Sequence, residues 1–348
     1  MNNLDDQKIS IYKLAESDRQ TLLAEGGFPK FRNKQISDWL LKGVVNPEEM
    51  SNLPKELRNF LSERFLNESI ECQSRLVSAE DETKKYVFRL ADGNIVEAVY
   101  MRYRYGSSVC ISSQAGCQMG CKFCASADAG FGRNLTAGEM LAQVAYIGRD
   151  IDTRIDGVVV MGIGEPLENY DELKQFIELV NDPKGLNIGR RHITVSTCGI
   201  IPQMIKFTNE VNQVSLAVSL HAPNDKLRRE LMPIAKVYRL EPLMDACRYY
   251  IAESGRRLTF EYALFAGVND SVEQAEELAS LVKGMNCLIN LIPANEFPGS
   301  QYKRSNHMSV QAFRETLEAH NIQVTVRREL GKDILAACGQ LRRRLEDG

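Results

Sequence analysis

Cys117, Cys121 and Cys124 stand in the run Gly116-Cys-Gln-Met-Gly-Cys-Lys-Phe-Cys-Ala125, a C-x3-C-x2-C spacing. Three thiolates so placed can hold three irons of a 4Fe-4S cluster and leave the fourth iron open to a small molecule. An open iron points to chemistry beyond electron storage. Two plainer assignments share the same residues: a structural zinc site, which wants a fourth Cys or His at matching spacing, and a redox-active C-x2-C pair. No second C-x2-C or H-x3-H pair follows in the chain, and ferredoxin-type runs close their cluster with a fourth cysteine.

The elements that must position this loop fall into three stretches. Residues 1–70 read as a small all-α N-terminal accessory domain. Ile36, Trp39 and Leu40 recur at helical spacing, and Asn46-Pro47 and Leu53-Pro54 punctuate short helices. Residues 71–107 read as a β-hairpin extension, with Lys85–Leu90 and Ile95–Tyr100 joined through Asp92-Gly93, a dipeptide suited to tight hairpin turns. Side chains alternate along a strand, so Glu97 shares a face with Ile95 and Val99. A carboxylate there is either an ordinary edge-strand charge or a functional group.

From residue 108 to 348 strand-like runs alternate with helical patterns. The runs are 109–112, 157–161, 192–195, 214–219, 258–263, 288–292 and 322–326. The clearest helix has Thr136 and Glu139 placed as a capping box, followed by Met140, Leu141, Val144 and Ile147 on one face. Such alternation predicts an α/β fold with a parallel sheet and crossover helices, closed or open. Active sites of parallel α/β folds gather at the carboxyl ends of the strands. Those ends here lead to the cysteine loop, to Gly162-Ile-Gly-Glu-Pro166, to Ser196, to Ser219-Leu-His221, to Asn295 and to Cys338.

Individually these residues are modest signals. Gly162-Ile-Gly-Glu-Pro166 lacks the third glycine of a dinucleotide fingerprint and the lysine of a P-loop. It leaves a carboxylate, Glu165, that could accept hydrogen bonds from a ligand ammonium or simply close a tight turn. His221 has no metal-ligand pattern around it and reads as a packing or hydrogen-bonding residue.

The chain has 348 residues, 44% hydrophobic and 26% charged, which is ordinary globular composition with room for a sizeable core. A formal net charge of −3 excludes a uniformly basic surface. A nucleic-acid partner would have to meet local patches, of which two are visible: Lys30 to Lys34, and Arg327, Arg328, Lys332 and Arg342 to Arg344. Nine cysteines, an odd number without a secretory feature, argue against a disulfide framework and for a reducing cytoplasm. No apolar run is long enough to span a bilayer, so no membrane partner is expected.

The triad, with Phe123 before its third cysteine, resembles the signature of radical S-adenosylmethionine enzymes, and the Gly-Glu-Pro turn fits the same superfamily. The match tightens at Ser112-Ser-Gln-Ala-Gly-Cys117, Met161-Gly-Ile-Gly-Glu-Pro166, Ser219-Leu-His-Ala-Pro-Asn-Asp225, Asn290-Leu-Ile-Pro293 and Ala336-Ala-Cys-Gly-Gln-Leu341. In that order these motifs resemble the radical SAM adenine RNA methyltransferases, the RlmN and Cfr family, from about Glu97 to Leu341. Phe31-Arg-Asn-Lys-Gln35 and Met50-Ser-Asn-Leu-Pro-Lys-Glu-Leu57 resemble the family's helical accessory domain. His221 to Asp225 and Asn290 to Pro293 are similar to the members that methylate carbon 2, more than to those that methylate carbon 8.

The resemblance implies a partial (β/α) barrel, a 4Fe-4S cluster on Cys117, Cys121 and Cys124, and S-adenosylmethionine contacts from Gly164, Glu165, Ser196, Ser219, Leu220, His221 and Asn295. It also implies a catalytic set. Cys338 takes a methyl group from one S-adenosylmethionine by nucleophilic displacement. A second one, cleaved reductively to a 5'-deoxyadenosyl radical, turns that methyl into a methylene radical that adds to carbon 2 of adenine. Glu97 removes the carbon-2 proton, its apolar strand neighbours raising its basicity. Cys110, seven residues before Cys117, attacks Cys338 to release the product, leaving a transient disulfide.

The implied partners are 23S rRNA, transfer RNA as a second candidate, and an electron donor such as flavodoxin, with the chain acting as a monomer. Leu335 stands where the family commonly has Asp, and Ala294 and Glu296 flank Asn295 where an aromatic and a proline are frequent. These departures bear on loop packing near Cys338. The rival class, a non-catalytic iron-sulfur or zinc RNA-binding module, would have no use for Cys338, Cys110 or Glu97.

Overall fold

The computed structural model describes residues 8–104, 106–128, 130–295, 300–336 and 339–341. Three helices come first: α1 (Glu16–Glu25), α2 (Phe31–Leu40) and α3 (Lys55–Arg64). They enclose a core of their own around Leu23, Ile36, Leu40, Leu57 and Leu61, the apolar positions that helical spacing brings to one side.

An antiparallel unit follows, made of β1 (Ile70–Val77), β2 (Lys84–Leu90) and β3 (Ile95–Tyr103). The expected hairpin is therefore three-stranded. The added strand, β1, reads Ile-Glu-Cys-Gln-Ser-Arg-Leu-Val and is half exposed along its length, so it lacked the clean apolar alternation that marks a strand in sequence. β4 (Gly106–Cys110) pairs antiparallel with β3 and parallel with β7 (Gly157–Val160). From there every neighbour is parallel: β8 (Ile193–Thr197), β9 (Ser215–Ser219), β10 (Leu258–Leu264), β11 (Cys287–Pro293) and β12 (Gln323–Val326). Together they make one mixed sheet of ten strands, with β1 and β12 at its edges.

A separate small ladder, β5 (Gln114–Gly116) with β6 (Phe131–Asn134), brackets the cysteine loop and the short α4 (Ala125–Asp128). The crossover helices α5 (Ala137–Asp150), α6 (Tyr170–Asn181), α7 (Ile201–Glu210), α8 (Asp225–Leu231), α9 (Leu240–Ser254), α10 (Val272–Leu281) and α11 (His307–Ala319) cover the outer face. α5 opens with the capping box read from sequence: the Glu139 amide donates to Thr136 Oγ1 at 3.1 Å and the Thr136 amide to Glu139 Oε2 at 3.0 Å.

The two faces of the sheet differ in kind. Tyr86, Phe88, Val96, Ala98 and Tyr100 point into the large core shared with α5 and the other helices. Val99, Met101 and Cys110 point the other way and cluster with Ile163, Ala336 and Leu341. Val99 and Met101 of β3 and Ile292 and Pro293 of β11 wall a single cavity, so the sheet curls to bring distant strands face to face. That is the geometry of a partial barrel, and its concave side holds the candidate site. No helix among the described residues is long and apolar enough to cross a membrane.

Candidate active site

The cysteine loop is fixed by close backbone approach at its start. Gly116 has φ +87°, and a Cβ there would collide with the carbonyl of Gly130, so only glycine joins β5 to Cys117. Beyond the loop, the amide of Lys122 donates to Leu231 O at 3.0 Å and that of Ala125 to Gly339 O at 2.8 Å. The second bond ties the cysteine loop to the segment that carries Cys338.

Cys117, Cys121 and Cys124 line one cavity, together with Gly164, Glu165, Ser196, Ser219, His221 and Asn295. The chain ends of β7, β8, β9 and β11 thus deliver to one place the residues that sequence reading had singled out separately. Leu220 is the exception: its side chain is fully buried in the core, and its amide is spent on Glu261 O at 3.0 Å.

Burial pushes the Cys117 thiol up to about 12 and the Cys121 thiol well above its ordinary value, and the neighbouring thiols push the same way. Bound to a metal cluster they would be thiolates, because coordination deprotonates them outright. Among the described residues no three His, Cys, Asp or Glu groups stand close enough to share one ion. A cubane asks for something else, since each of its protein ligands takes a different iron. The donor set therefore fits a 4Fe-4S cluster, with the strand-end polar groups of the same cavity beside it.

The Gly162 to Pro166 turn is a built structure. Gly164 has φ +110°, and a Cβ would come within 2.6 Å of the Gln114 side chain, whose Oε1 accepts from the Glu165 amide at 2.8 Å. Glu165 is buried and accepts from two backbone amides, Leu167 at 3.0 Å and Cys198 at 2.7 Å. Burial pushes its carboxyl above the usual range, against the pull of those donors. Glu165 thus braces β7 against β8 as well as lining the cavity, a share of its role that the sequence had left between ligand and turn.

His221 holds a left-handed backbone, φ +56°, secured by the Asn269 side-chain amide on its carbonyl at 2.8 Å. Its Nδ1 accepts from the Ala263 amide at 2.9 Å, so the ring proton sits on Nε2. Burial drops its pKa to about 3, leaving a neutral ring edge-on to Phe123 with centroids 4.7 Å apart. The histidine is a hydrogen-bond donor beside the cysteine loop.

A second, smaller cavity adjoins the first and shares Met161, Ile292, Asn295 and Arg327 with it. Cys110 lies in its wall with Val99, Met101 and Tyr103, and Arg304, Arg327 and Arg328 stand around it. No disulfide joins two of the described cysteines, and the transient bond expected from sequence between Cys110 and Cys338 involves a residue outside them. Cys338 lies outside the described residues, as do Glu296, the Phe297 to Gly299 run and Arg342 to Arg344. Its described flanks are held on both sides. Asp333 accepts from Ser78 Oγ and the Ala79 amide, each at 2.7 Å, Ser126 donates to Leu341 O at 2.9 Å, and Ala336 and Leu341 pack with Val99 and Cys110.

Glu97 lies on the same strand face and is 2% exposed. Its surroundings differ from the wholly apolar ones expected: Lys85 Nζ of β2 is 3.4 Å from its Oε1, and both side chains are buried. The Ser112 hydroxyl donates to the Glu97 carbonyl at 2.6 Å, tying β3 to the start of the cysteine loop.

Three participants were missed in sequence. Lys85 could have been found from the hairpin register, which sets it on the face of Glu97. Glu261, in the wall of the larger cavity and held by Asn290 Nδ2 at 2.8 Å, sits inside an apolar strand without a motif. Arg228 is fully buried and donates to Cys198 O at 2.7 Å; in sequence it looks like one charge of a polar helix.

Residues 111–281 match the Radical SAM superfamily. The chain is 52% identical over 315 residues to a probable dual-specificity RNA methyltransferase RlmN of Clostridium novyi, covering 90% of this chain and 92% of that one. It is 49% identical to the protein of the same description from Alkaliphilus oremlandii, over 97% of this chain and 98% of that one. Among solved structures, a radical SAM methyltransferase from Sphaerobacter thermophilus superposes with a TM-score of 0.90 at 42% identity, covering 97% of this chain and all of that one.

Proposed function

Because the chain belongs to the RlmN family of radical SAM RNA methyltransferases, we propose that it methylates carbon 2 of an adenine in 23S rRNA. Transfer RNA is the second substrate, a reading supported by the dual specificity in the relatives' description. The cofactors are a 4Fe-4S cluster and S-adenosylmethionine. The observation that carries the proposal is the meeting of two cavities, one walled by three thiols and strand-end polar groups, the other by Cys110 and three arginines.

Cys117, Cys121 and Cys124 hold the cluster, and Gly164, Glu165, Ser196, Ser219, His221 and Asn295 hold S-adenosylmethionine, with Leu220 contributing backbone alone. Together the two cofactors supply one-electron chemistry able to open an unactivated carbon–hydrogen bond. The protein's part is to present a methyl group where that chemistry occurs and to resolve the covalent adduct it leaves. Cys338 carries the methyl as a thioether, and its nearest described flanks line one cavity each, Ala336 the smaller and Gly339 the larger. Glu97 takes the proton from carbon 2. Cys110, as thiolate, bonds to the sulfur of Cys338 while the bond from that sulfur to the transferred carbon breaks; the carbon keeps the electron pair and takes a proton to become the product's methyl, and a later thiol reduces the disulfide left behind.

The adenine reaches these groups only when drawn out of its stack. Met101, Tyr103 and Ile292 give the smaller cavity an apolar wall for the base, and Arg327 and Arg328 suit the flanking phosphates. Anaerobic reconstitution, incubation with protein-free 23S rRNA or transfer RNA, and nucleoside analysis test the reading. We expect 2-methyladenosine; 8-methyladenosine or no modified adenine would overturn it.

A further inference from the structure

Lys85 is among the most deeply buried large side chains of the protein, 1% exposed. Antiparallel pairing sets Lys85 opposite Val99 and Val87 opposite Glu97. Opposed residues share a face, so Lys85 and Glu97 are diagonal neighbours on the concave side, with Nζ to Oε1 at 3.4 Å. Their immediate neighbours on that face are Val87, Ile95 and Val99, with Arg89 exposed at its end, and Val99 is itself paired with Cys110. Taking an ammonium and a carboxylate out of water is costly, and apolar residues of similar size serve stability as well or better. Packing alone does not account for the pair.

We propose that Lys85 is the positioning residue for the base of the reaction, holding Glu97 ionised and oriented until it accepts the proton from carbon 2. The inference rests on the assignment of Glu97 above. A lone carboxylate on this face would be driven towards its neutral acid by desolvation, and a protonated carboxyl has no capacity to act as a base. In the step itself one carbon–hydrogen bond breaks and one oxygen–hydrogen bond forms on Glu97, with the electron pair left on the nucleobase. Lys85 loses no proton and touches no substrate atom.

The titratable and charged side chains on the face of Glu97 among the described residues include Lys85 and, exposed at the strand's end, Arg89 from β2, and the Cys110 thiol from β4; the C-terminal segment packs Ala336 and Leu341 there. Removing the ammonium therefore removes a cation that opposes desolvation. The product-release step should then demand a higher pH.

The test uses the reconstituted full chain and protein-free 23S rRNA, comparing Lys85→Met, Lys85→Gln, Lys85→Arg and Glu97→Gln. Three quantities are read: methyl loading of the Cys338 peptide, covalent enzyme–RNA adduct, and the pH profile of adduct release. We expect Lys85→Met and Lys85→Gln to load methyl and form adduct, yet release product at least about ten-fold more slowly at pH 7, with the profile displaced upward by roughly one to three pH units. Lys85→Arg should restore most of the rate. Release by Lys85→Met or Lys85→Gln with the wild-type profile, while Glu97→Gln is blocked, would overturn the proposal. Normal release by Glu97→Gln would instead overturn the base assignment beneath it. If Lys85→Met fails to take up the cluster, the contrast between Lys85→Gln and Lys85→Arg decides, and equal profiles for those two refute the inference.

Discussion

Replacing Glu68 by glutamine should stabilise the protein, and increasingly so as pH rises. Glu68 lies between α3 and β1, 1% exposed, where the helical unit meets the first turn of α5. The Ser10 hydroxyl donates to its Oε2 at 3.0 Å. Burial pushes the carboxyl from its ordinary 4.5 up to about 7; the Thr136 and Ser10 hydroxyls pull it back, and Glu139 and Glu172 push it further. A carboxyl raised in the folded state favours folding fully below pH 4.5, and that contribution is lost as pH rises through 7. At about 1.4 kcal/mol per unit, the ionised group costs the folded state about 3 kcal/mol at pH 8 and under about 1 kcal/mol at pH 5.

Glutamine keeps an acceptor for Ser10 and carries no charge to desolvate. Thermal unfolding of both proteins, followed by calorimetry between pH 5 and 8.5, should show the gap in Tm widening by roughly 3 °C in favour of Glu68→Gln. Parallel curves across that range would show that Glu68 titrates as an ordinary surface carboxylate and would refute the reasoning.

Glu165→Gln sets an amide NH2 against the Cys198 or Leu167 amide, so we expect S-adenosylmethionine affinity to fall at least about ten-fold by equilibrium dialysis; unchanged affinity would remove Glu165 from the cavity's function. Arg327→Glu and Arg328→Glu should weaken RNA binding and lower the slope of log affinity against log salt by about one for each phosphate no longer neutralised. A wild-type slope would place RNA elsewhere. Cys110→Ala should accumulate enzyme joined covalently to RNA, visible by intact mass, whereas free product at normal turnover would exclude Cys110 as the resolving thiol.

Much of the site was legible because its residues come from strand ends, and strand ends are readable. The apolar runs of β7 to β11 are short, bounded and parallel, so the residue after each had to lie on one rim of the sheet. Gly164, Ser196, Ser219 and Asn295 converge on a cavity for that reason alone. What escaped was information carried by register and by burial. Lys84-Lys85 reads as two equivalent charges, and only the pairing of β2 with β3 sends one outward and buries the other against Glu97.

Arg228 and Glu165 show the same point across longer separations. The backbone of Cys198 donates to Glu165 and accepts from Arg228, so one turn after β8 is clamped by a carboxylate from the β7 end and a guanidinium from α8. Each residue alone has an ordinary surface explanation. Their burial does not, because a charge taken out of water has to be hydrogen-bonded, and both side chains meet that need at the Cys198 backbone. The turn that presents Ser196 to the cavity is therefore set by two charges that the sequence keeps 63 residues apart. Rigidity in that turn is what a site handling a radical needs, since a reacting carbon displaced by about 1 Å costs orders of magnitude in rate.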